Sequence, residues 1–105
     1  MRTKETLQTL AQNARQIGVY GAENQLIEEM GELMQAIGKK NRFTGMGQPL
    51  RQETDAQTIR KELVEEIADV RTVLDEMIIL YDCADEADVV EEEKIERTKK
   101  LLEET

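Results

Sequence analysis

Ile59, Leu63, Ile67, Val70, Leu74, Ile78 and Tyr81 recur at three- and four-residue intervals. That is the repeat of an α-helix with one apolar face, sustained here for about seven turns. Such a helix spans roughly 35 to 40 Å at 1.5 Å per residue. No other segment matches it in length, so the fold must be organised around covering this face. The stretch "DAQT" (Asp55 to Thr58) supplies a capping residue at its start.

Three further segments share the period. Leu7, Leu10, Ala11, Ala14 and Ile17 predict a helix from about Thr3 to Gln16, ended by "GVYG" (Gly18 to Gly21). Leu26, Ile27, Met30, Leu33, Met34 and Ile37 predict a second from Ala22 to about Gly38, with Met30 and Met34, like Met77 further on, placed in the core. A fourth runs from about Glu86 or Asp88 to Glu103, with Val89, Val90, Ile95 and Leu101 or Leu102 as its apolar positions. "KKNRFTGMGQPLRQETDA" (Lys39 to Ala56) holds the only proline and no sustained period, which predicts one long loop. With one Phe, two Tyr and no Trp, the composition favours helix over sheet. The expectation is an all-α, four-helix bundle forming a single domain over residues 1–105. A chain this short buries a modest share of its surface, and its longest apolar face outruns the other helices. Association as a homodimer or homotetramer follows.

The net charge of -9 argues against a nucleic-acid partner, since such binding rests on a basic face. No apolar run reaches membrane-spanning length, so no membrane partner is expected. The single Cys83 has no intrachain disulfide partner and no signal-peptide core precedes it, which points to the cytoplasm. With no histidine, His-based zinc sites and His-activated nucleophiles are excluded within one chain. Chemistry is left to carboxylates, amines, amides and hydroxyls.

The carboxylates are placed unusually. In "IEEMGELMQAIGK" (Ile27 to Lys39), Glu29 and Glu32 share one flank of the apolar arc while Glu28 points away from it. In "ELVEEIADV" (Glu62 to Val70), Glu62, Glu66 and Asp69 line up with Val73, again at the edge of the buried face. Two antiparallel helices at ordinary packing distance would bring Glu29, Glu32, Glu66 and Asp69 to one point. Four ionised carboxylates there repel, and a divalent cation resolves the conflict; oxygen-only ligation suits Mg2+ first and Mn2+ next. Acidic pairs three residues apart also arise by chance in a chain with 23 acids, so spacing alone leaves solvated helix faces as the alternative.

"EEMGEL", a loop, then "EEIADV" resembles the EExxE and ExxD signature of the MazG-like, all-α nucleoside triphosphate pyrophosphohydrolases. The similarity extends through "YGAENQLIEEMGELMQAIGK" and "KIERT" (Lys94 to Thr98), covering the chain from about Tyr20 onward. The resemblance implies hydrolysis of a nucleotide substrate, an NTP or dNTP, to monophosphate and pyrophosphate with magnesium. It makes Glu29, Glu32, Glu66 and Asp69 the metal ligands, and Glu28 or Glu65 the base that activates water. Lys94 and Arg97, one turn apart, become candidates for holding phosphates, in their own chain or a neighbour's site; surface pairing is their plain alternative. Lys39, Lys40 and Arg42 are second choices. Asn24 and Gln25 either hydrogen-bond a base or simply cap the helix and face solvent. Two other readings share these features: a helical interaction module without turnover, and an enzyme acting on phosphoribosyl-ATP.

Overall fold

In the computed structural model, which describes residues 2–43 and 56–105, the break expected over Gly18 to Gly21 narrows to one residue. Gly18 sits at φ 73° and ψ 171°, a conformation essentially closed to residues with a Cβ. The helix resumes at once, so the two helices expected on either side form one element, α1 (Lys4–Phe43), bent at Gly18. Straight, it would be about 60 Å long, yet the molecule's longest dimension is 45 Å. The bend lets both arms of α1 lie against α2 (Ala56–Tyr81).

Polar contacts pin each arm. On the N-terminal arm's side, Arg2 Nε donates to Asp75 at 2.7 Å and Asn13 Nδ2 donates to Glu76 at 2.7 Å. On the C-terminal arm, Tyr81 donates its hydroxyl to Glu23 at 2.5 Å and Lys39 Nζ donates to Glu62 at 2.9 Å. Glu23 meeting Tyr81 while Lys39 meets Glu62 makes this arm antiparallel to α2. Glu76 is only 2% exposed, and the Asn13 amide supplies the hydrogen bond that a buried carboxyl requires.

Where a loop was expected from Lys39, α1 continues to Phe43 with Lys40 and Arg42 in its last turn, where cations complement the negative end of the helix dipole. Lys39, Lys40 and Arg42 are therefore helical residues. The rest of that loop and the capping Asp55 lie outside the described residues. At its other end α2 closes with Asp82 in the left-handed region (φ 51°). Asp82 N–H bonds the Ile79 carbonyl and Cys83 N–H that of Ile78, the hydrogen-bond pair of a Schellman cap. α3 (Ala84–Glu103) follows, with Asp85 and Glu86 in its first turn and Lys100 in its last, both signs favourable to the dipole.

The class is all-α, with three helices rather than four among the described residues. Leu10, Ala14, Ala22, Ala36, Ile59 and Val73 form a small core. Met30 and Met34, expected inside, are exposed, Met34 by 72%, because α1 and α2 cover only one side of each other. Ile27, Val64, Ile67 and Leu74 are exposed as well, and α3 has no buried residue. Among the described residues α3 touches α2 and does not reach α1. No described helix is long and apolar enough to cross a membrane.

Candidate metal centre

Glu29 and Glu32 project from the C-terminal arm of α1, one turn apart, and Glu66 and Asp69 do the same from α2. The antiparallel register, set at its ends by the Glu23–Tyr81 and Lys39–Glu62 contacts, brings the two pairs face to face. One carboxylate oxygen each from Glu29, Glu66 and Asp69 lie within 4.8 Å of one another. Glu32 stands outside that tightest trio, one helical turn from Glu29, and is near enough for its charge to act on both Glu29 and Glu66.

Electrostatics follow from this crowding. The Glu29 carboxyl is pushed above the usual range by loss of solvent first, then by the charges of Glu32, Asp69 and Glu66. Glu66 is also pushed up, again by desolvation first, then by Glu32, Asp69 and Glu65. Oε2 of Glu29 and Oε2 of Glu66 are shut off from solvent and have no hydrogen-bond partner among the described residues. Buried acceptors are nearly always satisfied, so two orphans within one acidic cluster require an account.

A hard cation gives one. With 2.1 Å bonds, neighbouring ligands on octahedral magnesium are about 3.0 Å apart and opposite ones about 4.2 Å, so three oxygens within 4.8 Å of one another must draw together by up to about 2 Å to share one ion. An all-carboxylate donor set also suits magnesium or manganese over softer metals. The residues present therefore fit such an ion.

Beside the acids runs a groove of about 980 Å3, between the C-terminal arm of α1 and the first turns of α2. Glu32, Glu65 and Glu66 are on its walls, together with Gln35, Lys39 and Arg42. Glu65 is exposed and faces this space, whereas Glu28 is exposed on α1 and is not among the groove residues. Asn24 and Gln25 are exposed one to two turns before Glu29 and take no part in the groove. Lys94 and Arg97 are exposed on α3, away from it. Spacing missed Gln35 as a wall residue and Glu76 as a buried acid. For Gln35 a signal existed, since it stands one turn beyond Glu32; for Glu76 there was none, because its partner Asn13 is 63 residues away. Comparison of the chain with models of known protein families, with curated proteins and with solved structures found no match.

Proposed function

We propose that this protein is a magnesium-dependent nucleoside triphosphate pyrophosphohydrolase of the cytoplasmic nucleotide pool, cutting an NTP or dNTP between its α and β phosphates. The observation that carries the reading is the pair of buried, unpartnered oxygens of Glu29 and Glu66 at a point shared with Asp69 and Glu32. Glu29, Glu32, Glu66 and Asp69 would hold the metal, Mg2+ or in its place Mn2+. When bound, such an ion polarises the α-phosphoryl group and neutralises charge on the leaving pyrophosphate. Glu65, on the groove wall beside Glu66, takes the proton of the attacking water. As the water oxygen bonds to the α-phosphorus, the bond from that phosphorus to the bridging oxygen breaks and pyrophosphate leaves. Glu28 has no comparable position, which favours Glu65 for this role.

The reading includes a homodimer or homotetramer. Its support is the apolar surface left open on every helix, Ile27 at 69% exposure on α1 and Leu102 at 69% on α3 among it. Val90, Ile95 and Leu102 line an open face of α3 together with Lys94. A second copy seated there would bury that face, and Lys94 and Arg97 would then meet a nucleotide held by the neighbour.

The test is a panel of NTPs and dNTPs with magnesium in oxygen-18 water, with the products separated. Pyrophosphate and an oxygen-18-labelled monophosphate are expected. Stepwise loss of inorganic phosphate from the γ position would sink the assignment, and a protein that binds magnesium without turnover would return the helical interaction module.

A further inference from the structure

The groove has two chemically different ends, and the second has no part in holding metal. Along the C-terminal arm of α1, Glu32, Gln35, Lys39 and Arg42 fall within about 80° of one another around the axis and extend over about 15 Å. All four line the groove. The acid end is Glu32 with Glu66; the basic end is Lys39 with Arg42. Helical side chains lean toward the N-terminus of their helix, so both cations reach back along the groove toward Glu32. Arg42 does so: its Nη1 lies 3.6 Å from where a Cβ on Gly38 would stand, one turn back.

The two cations differ in state. Lys39 Nζ is held by Glu62 at 2.9 Å, while Arg42 has no ion-pair partner among the described residues. A guanidinium without an ion-pair partner among the described residues, whose planar fork of donors matches phosphate oxygens, at one end of a groove that has clustered carboxylates at the other, is suited to an extended anion rather than a neutral ligand.

We propose that this groove is a polyphosphate subsite in which Arg42 and, once released from Glu62, Lys39 hold the outer phosphates of a chain whose other end lies at the carboxylates. This rests on the pyrophosphohydrolase reading and adds a direction to it: the leaving group lies along α1 toward Arg42, within one chain. Arg42 is the binding residue. Glu62 is a positioning residue, which restrains Lys39 and adds a repelling charge to the groove wall.

Titration calorimetry with inorganic pyrophosphate and magnesium tests this on the full chain, beside turnover of the best nucleotide and magnesium binding alone. Arg42→Gln should weaken pyrophosphate binding roughly tenfold, the effect of losing one charge-assisted contact, and should raise KM while magnesium binding is unchanged. Glu62→Gln should act in the opposite direction and tighten pyrophosphate, because it frees Lys39. Pyrophosphate binding left unchanged by Arg42→Gln in a protein that still hydrolyses nucleotides overturns the subsite and spares the enzyme. Arg42-dependent pyrophosphate binding without turnover of any nucleotide supports the subsite and removes the enzyme.

Discussion

Oε2 of Glu29 and Oε2 of Glu66 are acceptors with no donor among the described residues, and the consequence can be measured without substrate. Both carboxyls titrate above their ordinary range in the folded protein, through desolvation and the acids around them. The folded state therefore binds more protons than the unfolded one between the unfolded carboxylate range and those raised values. Stability from these groups is present below that window and is lost as pH rises through it. Melting of the metal-free protein should shift to lower temperature across it, and saturating magnesium should reverse the loss by binding only the folded form. Glu29→Gln or Glu66→Gln should hold or raise the metal-free melting temperature while lowering turnover by at least roughly a hundredfold; full activity in either variant would remove the centre. The acids were legible because a three-residue interval places two side chains on one helix face wherever the helix ends. Met34 was not legible. Its apolar character predicts cover, whereas α1 and α2 cover only one side of each other and leave it exposed.

Two positions govern how the helices join, and both depend on positive φ. At Gly18 an added Cβ would meet no atom within 4 Å, so the cost of Gly18→Ala comes from the backbone alone. A loss of about 1 to 3 kcal/mol in urea unfolding is expected, the range for a residue forced into such a region. Gly21→Ala is the control, for Gly21 is helical and its Cβ would make an ordinary 3.4 Å contact with Ile17; a gain of about 0.5 to 1 kcal/mol is expected there. Asp82→Gly should likewise stabilise, by up to about 1 kcal/mol, since glycine accepts the left-handed cap more readily than aspartate. The difference between Gly18 and Gly21 was hidden in "GVYG". Two glycines three residues apart mark a break, but which one bends depends on how both arms reach α2. The end of α1 was misjudged for a related reason: "KKNRF" lacks an apolar period, yet cations are favourable in a last turn and the helix runs through them.

For the molecule as a whole, the class and the pairing of the acidic segments were readable from period and spacing, whereas the position of α3 was not, because its apolar residues name no partner. α3 joins the rest through a two-residue turn and contact with α2 alone, with every apolar side chain from Val89 to Leu102 exposed. Light scattering at micromolar concentration should report a dimer or tetramer, and a stable, active monomer would refute the association. A 20-residue helix with no buried residue is near the length at which isolated helices are marginal in water. If a second copy covers it, as proposed, its persistence follows mass action. Dilution should lower far-UV ellipticity before it touches α1 and α2, and the amides of α3 should exchange with deuterium faster than those of the other helices as the protein is thinned. Abundance would then act as a control on shape: at low copy number the chain keeps its acidic hairpin and loses the helix that carries Lys94 and Arg97.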